Sequence, residues 1–213
     1  MRKSSMNNNI KVVAFDCDGV MFDTVKANTA YYNNILNHFG KPDMTPEQFA
    51  YSYMHTADEA IAKLFEDKKG FEQAQVFRKH MSYIPFLKYM EMEPHLKPLL
   101  KRLRPEYKTA VATNRADTMK RVLIEHDLEE YFDLVVSALD VENPKPSPDQ
   151  LIKILEHFNI EPGQLIYIGD SKLDEIAAKA AGIALIAYKN RSLDANLYIN
   201  SLKELENILL GQP

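Results

Sequence analysis

The sequence predicts an α/β protein, a parallel sheet with an all-helical insert placed after its first strand. Two observations carry this. From about residue 95 onward, short and continuously apolar runs alternate with segments of helical spacing, the pattern of a parallel sheet covered on both faces. A further apolar run at 11–15 stands alone near the start, and everything between it and residue 95 reads as helix.

The first strand is Lys11-Val12-Val13-Ala14-Phe15, which has no polar alternation and so reads as buried. The insert, 23–94, is rich in Tyr, Phe and Met. Ala57, Ala60, Ile61 and Leu64 have helical spacing, and Gly40, Pro42, Pro46 and Gly70 punctuate it. Thr45 followed by Pro46 has the form of a helix cap and first turn. In the last part, 108–113 is a strand, 116–126 a helix, 134–136 a strand, 148–158 a helix and 165–169 a strand. A small-residue helix at 173–181 stops at Gly182, a strand follows at 183–187, and a helix at 201–210 closes the chain. Parallel strands joined by helices require right-handed crossovers. The expected domains are therefore a core formed by 10–22 with 95–213 and a helical insert at 23–94, placed to act as a lid over the carboxyl ends of the strands.

The chain has 213 residues, 46% of them hydrophobic and 26% charged, an ordinary globular balance. Lys and Arg total 26 against 30 Asp and Glu, a net charge of −4, so there is no general attraction to nucleic acid or to an anionic membrane. The single cysteine, Cys17, excludes an internal disulfide framework and fits a reducing compartment such as the cytoplasm. No apolar run is long enough to span a bilayer, and the first nine residues are polar and Asn-rich, without a signal-peptide core. The Tyr- and Met-rich insert is expected to use those side chains as core, giving a monomer or weak homodimer.

Polar residues at four strand ends carry the chemistry. Asp16-Cys17-Asp18-Gly19-Val20 follows the first strand, and Thr113-Asn114-Arg115 follows the second. Lys145 lies in the loop Asn143-Pro144-Lys145-Pro146-Ser147-Pro148, and Gly169-Asp170-Ser171 is followed by Asp174. Singly, each is also a turn or a helix cap. Together, at the ends where open α/β sheets bind ligands, they suit phosphate ester cleavage. Asp16 is placed as nucleophile, forming an aspartyl-phosphate. Asp18 is placed to protonate the leaving alcohol and then activate water. Asp16 and Asp170 can hold Mg²⁺, with Asp174 either a ligand or a partner behind the ligands. Lys145 adds fixed positive charge, and the Thr113 hydroxyl can hold phosphate oxygens. Arg115 either anchors a substrate anion or is an exposed arginine at a helix start, and His55 sits on an insert loop where it can touch substrate. Cys17, between two acidic residues, is expected to be neutral and turned into the core.

These elements resemble the four motifs of the haloacid dehalogenase-like (HAD) hydrolase superfamily: Asp16-Cys17-Asp18-Gly19-Val20, Thr113-Asn114, Lys145 with Pro146, and Gly169-Asp170-Ser171-Lys172-Leu173-Asp174. The likeness covers about 10–210 and is nearest to phosphoglycolate phosphatase-like members and β-phosphoglucomutase relatives. It implies a Rossmann-like core with a small helical cap, Mg²⁺ as cofactor, an aspartyl-phosphate intermediate, and a metal ligand from the main-chain carbonyl of Asp18. It adds Asn114 to Thr113, Arg115 and His55 as candidate substrate-binding residues. The implied activity is hydrolysis of a small phosphorylated metabolite, like phosphoglycolate or a sugar phosphate. The alternative is a phosphosugar mutase, and a catalytically silent binding domain ranks below both. The acidic Asp18 argues against a dehalogenase, and the loop Tyr53-Met54-His55-Thr56-Ala57-Asp58 lacks the lysine a phosphonatase needs.

Overall fold

The structure is a computed structural model and describes residues 9–54, 57–104, 106–116 and 118–211. The chain divides into two compact units, Met1–Asp23 with Met92–Pro213, and Thr24–Glu91.

The first unit holds β1 (Val12–Phe15), whose four residues are all buried. The chain leaves this unit after the two-residue strand β2 (Phe22–Asp23). The second unit is helical, with α1 (Val25–His38), α2 (Pro46–Met54), α3 (Ala57–Leu64) and α4 (Lys68–His80). Tyr32, Ile35, Leu36, Ala60, Ile61, Leu64, Phe65 and Ala74 make its core, the use expected for its aromatic and aliphatic residues. Thr45 and Gln48 exchange side-chain and backbone hydrogen bonds at the start of α2, so the Thr-Pro signal marks a true capping box.

The chain re-enters the first unit at β3 (Glu91–Met92) and continues through α5 (Leu96–Leu103), β4 (Lys108–Ala112), α6 (Met119–Glu125), β5 (Leu134–Val136) and α7 (Asp149–Phe158). Then come β6 (Leu165–Gly169), α8 (Lys172–Ala181), β7 (Ala184–Tyr188), β8 (Leu197–Ile199) and α9 (Leu202–Leu210). Six strands form one sheet in the order β5-β4-β1-β6-β7-β8, and every pairing is parallel. The chain runs outward from β1 through β4 to β5, then returns to β6 on the other side of β1. That reversal is the point where open sheets open a crevice at their carboxyl ends. Phe15 is level with Val111 on β4 and Ile168 on β6, which brings the three strand ends side by side.

Alternate residues divide the sheet between two layers. Val12, Ala14, Ala110, Ala112, Leu165, Tyr167, Leu185 and Ala187 pack with Leu151 and Ile154 of α7 and Ala177 and Ala178 of α8. Across the sheet, α5 lies on β4 and α9. The two-residue strands β2 and β3, the helix α5 and the strand β8 fall outside the sequence expectation. Leu96, Leu99, Leu100 and Leu103 give α5 a helical stripe that is fully buried. β8 has three residues and follows polar Asp194-Ala195-Asn196, too short to register as a period-two pattern. Helix α6 starts at Met119, later than expected, and ahead of it the Arg115 N–H bonds the Thr113 hydroxyl.

Helix α8 ends as its sequence predicts. Gly182 lies at φ 69°, and Ile183 N–H bonds back to Ala178 O at 2.9 Å. A methyl group here would meet nothing closer than Pro162 Cβ at 3.9 Å, so the cost of Gly182→Ala is backbone strain alone. That substitution is expected to lower stability by about 1–2 kcal/mol, read as a shifted urea midpoint with an unchanged slope.

Candidate active site

The sheet ladders run past the strand ends and fix the first polar residues. Asp16 N–H bonds Ile168 O at 2.9 Å, and Thr113 N–H bonds Val136 O at 3.0 Å. The Asp16 side chain is therefore delivered in register between the ends of β4 and β6. At Gly19 (φ 84°) an added Cβ would lie 2.0 Å from Asp170 Oδ2, so only glycine lets the two loops approach this closely.

Lys145 is the centre of the arrangement. Its Nζ lies 2.8 Å from Asp16 Oδ1 and 2.7 Å from Asp174 Oδ1. It is also 2.8 Å from the Tyr167 hydroxyl and 3.2 Å from Ala112 O. Burial by itself would lower the pKa of this lysine, but the carboxylates of Asp16 and Asp174 hold it above the ordinary range, so it stays an ammonium. The Lys145 backbone is gripped in turn. Asn114 Nδ2 donates to Lys145 O at 2.7 Å, and Lys145 N–H donates to Asn114 Oδ1 at 2.9 Å. Asn114 thus has both ends of its amide committed to this loop. Asn114, expected as a substrate-binding residue, holds the Lys145 backbone through both of these bonds.

Asp174 is fully buried, and both its oxygens are occupied. Oδ1 accepts from Lys145 and from Tyr167 (2.7 Å), and Oδ2 from the Ser171 hydroxyl (2.6 Å) and the Ser171 and Asp170 N–H groups (3.0 and 3.2 Å). Burial opposes its charge, yet Lys145, Ser171 and Tyr167 keep its pKa below the usual carboxylate value. It is therefore a buttress for Lys145 and for the turn that carries Asp170. Asp16 differs. Burial pushes it up to about 7, against the pull of Lys145. Among the described residues its hydrogen bonds fall on Oδ1, from Cys17 N–H and Lys145. Asp170 is pushed well above the ordinary value by burial and then by the charges of Asp16 and Asp174.

One oxygen each from Asp16, Asp170 and Asp174 lies within 4.8 Å of the others. Three carboxylates against one lysine leave excess negative charge in a buried space, which a hard divalent cation with oxygen ligands suits. The donor set of Asp16, Asp170 and Asp174 fits such an ion. The Asp18 side chain is not part of this group. Its carboxylate is paired with Arg115, through Nη2 to Oδ1 and Nε to Oδ2 (3.2 Å), so any contribution from Asp18 to a cation would come from its main chain. Of the two expectations for Arg115, the exposed position at a helix start is not found: its side chain is only 6% exposed, and its guanidinium faces Asp18.

Thr113 is buried. Its hydroxyl oxygen accepts from Arg115 N–H, leaving the hydroxyl hydrogen as its donor capacity, while Gln150 Nε2 holds its carbonyl at 2.7 Å. Cys17 is fully buried, and burial followed by the charge of Asp18 pushes its thiol pKa well up. His55 lies outside the described residues. Sequence reasoning missed Tyr167 and Gln150. A tyrosine inside the aliphatic run Leu165-Ile166-Tyr167-Ile168 was the available signal, because a buried phenol needs a partner.

Residues 13–188 match the model of the haloacid dehalogenase-like hydrolase family. The chain is 30% identical over 175 residues to a phosphoglycolate phosphatase of Aquifex aeolicus, covering 81% of this chain and 82% of that one. It is 30% identical over 220 residues to a phosphoglycolate phosphatase of Chromobacterium violaceum, covering 94% and 96%. The crystal structure of a HAD-superfamily hydrolase of subfamily IA from Geobacter sulfurreducens superposes with a TM-score of 0.81 at 35% identity, covering 94% of this chain and 97% of that one.

Two outcomes are expected. A proton held by Asp16 near neutrality must leave before a cation binds, so Mg²⁺ affinity should rise as pH increases from about 6 to about 8, with proton release visible by calorimetry in buffers of different ionisation enthalpy. An affinity that does not change with pH would contradict this. Gly19→Ala should displace Asp170 and weaken Mg²⁺ binding by roughly 10–100-fold in the same titration.

Proposed function

Because the chain belongs to the haloacid dehalogenase-like hydrolases, we propose that it is a Mg²⁺-dependent phosphatase that hydrolyses a small phosphorylated metabolite through an aspartyl-phosphate on Asp16. The observation that carries this reading is the Lys145 ammonium held between Asp16 and Asp174, next to Asp170 and at the switch point of the sheet.

In this reading Lys145 holds Asp16 Oδ1, which leaves Oδ2 to attack phosphorus. The Thr113 hydroxyl and the adjacent main-chain N–H groups hold the phosphoryl oxygens. Asp18 gives a proton to the departing alkoxide and then takes one from the water that cleaves the acyl phosphate. Asp174, Tyr167 and Asn114 keep Lys145 in place throughout. A bound Mg²⁺, held by Asp16, Asp170 and the main chain of Asp18, supplies the positive charge that offsets repulsion between carboxylate and phosphate.

The substrate class proposed is a phosphoglycolate-like or sugar-phosphate-like ester. The phosphoglycolate phosphatases among the relatives support water, not a second sugar, as final acceptor. A phosphatase of phosphorylated carbohydrates from Thermotoga maritima, 29% identical over 184 residues, supports the wider sugar-phosphate range. The helical unit, Thr24–Glu91, is read as the family's cap. No helix among the described residues is long and apolar enough to cross a membrane, and a cytoplasmic setting fits the single buried thiol.

A screen of phosphorylated metabolites for Mg²⁺-dependent phosphate release tests the reading, and isomerisation of a sugar phosphate without phosphate release would replace it with a mutase. Asp16→Asn should bring turnover to background while the protein remains folded by circular dichroism. Asp18→Asn should slow turnover by roughly two to four powers of ten, and a wild-type rate in that variant would remove Asp18 from the chemistry.

A further inference from the structure

Asp18 poses a problem that the family chemistry leaves open. It must be wet enough to exchange protons with water, yet held firmly enough to do so in one direction. Its side chain is 34% exposed, against 9% for Asp16 and none for Asp174. A short side chain that open, on a loop beyond a strand end, has several rotamers available. Arg115, 97 residues away in sequence, removes that freedom. Nε and Nη2 engage the two carboxylate oxygens separately, the fork-to-fork geometry that fixes both position and plane. The fork is itself anchored, with Nη1 on the Thr118 hydroxyl at 3.2 Å and the Arg115 N–H on Thr113 Oγ1 at 3.1 Å. Thr113 is the proposed phosphate-binding hydroxyl, so the orientation of Asp18 is referred back to the phosphate site.

We propose that Arg115 is the positioning residue for Asp18, holding its carboxylate in the orientation from which it takes the proton of the attacking water. Each carboxylate oxygen keeps lone-pair capacity after accepting one N–H, so the fork orients Asp18 without closing it to a further proton. A lysine could not replace it, because an ammonium is a point charge and does not set the plane of a carboxylate. The inference rests on the phosphatase reading and adds a residue to it.

The two half-reactions separate this role from a merely structural one. With 4-nitrophenyl phosphate, Asp16 attacks phosphorus and the P–O bond to the ring breaks, its electron pair leaving as 4-nitrophenolate, which needs no proton. In the second step water attacks the same phosphorus, and one water proton passes to Asp18. The bond between phosphorus and Asp16 breaks, and its electron pair returns to the carboxylate. Misplacing Asp18 should slow only this second step.

Rapid-quench kinetics at saturating 4-nitrophenyl phosphate and Mg²⁺ test this. Arg115→Gln is expected to show a burst of 4-nitrophenolate at close to the wild-type rate, followed by a steady state slowed roughly 10–100-fold, with phospho-enzyme accumulating. Arg115→Lys should behave like Arg115→Gln. In an Asp18→Asn background, Arg115→Gln should add no further slowing, because the two act as one unit. Thr118→Val, which removes the far anchor of the guanidinium, should give the same burst with a smaller slowing. Equal slowing of burst and steady state, a wild-type steady state, or additive effects in the double variant would each overturn the proposal. If the wild-type enzyme forms no phospho-enzyme on Asp16, the phosphatase reading falls first, a failure distinct from a missing burst in an otherwise active enzyme.

Discussion

One buried ammonium holds the active end of this sheet together. Taking Lys145 out of water without partners would be prohibitive, and so would burying Asp16 and Asp174 without a cation. Each makes the other tolerable, and the Tyr167 hydroxyl and Ala112 O complete the shell. The geometry that this mutual need imposes is strict. It draws the loop that carries Lys145 to the ends of β1 and β4 and sets the first turn of α8 through Asp174. A single unbalanced member would leave a bare charge in the core, so this cluster is a structural necessity before it is a chemical device.

Around that centre, supporting contacts reach across long stretches of chain. Asn114 fixes the backbone of Lys145 from 31 residues away, and Gln150 fixes the carbonyl of Thr113 from 37. Gly19 and Gly169 act by what they lack. A Cβ at Gly19 would strike Asp170, and one at Gly169 would lie 2.4 Å from Asp174 Cβ. The carboxylates are crowded together because the backbone beside them has been stripped of side chains.

Much of this could be read in the sequence. Apolar runs gave the strands, and carboxylates placed directly after them stood out because a buried strand has no use for charge. Asp16 and Asp170 were legible for that reason, Thr113, Lys145 and Asp174 as the hydroxyl, lysine and further carboxylate that accompany them, and the sheet brings their strand ends together. What was not legible were partnerships. Nothing local in Asn114 says that both ends of its amide will meet Lys145, and nothing in Arg115 says that it will turn away from solvent toward Asp18. Those outcomes depend on the register of β1, β4 and β6, which exists only after folding. Tyr167 and the leucine stripe of α5 are a different case, since a lone phenol among aliphatics and a regular i, i+3, i+4 spacing were signals in plain view.

The single thiol of the chain has a use beyond packing. Cys17 sits between the two carboxylates of the first motif, fully buried, with a pKa raised by burial. In the native state it should ignore alkylating reagents and peroxide, since only an exposed thiolate reacts quickly. Any labelling of this cysteine therefore records a moment when the end of β1 has come apart. The molecule carries its own stopwatch for that opening, at the spot where it would be most informative, and needs no engineered probe to run it.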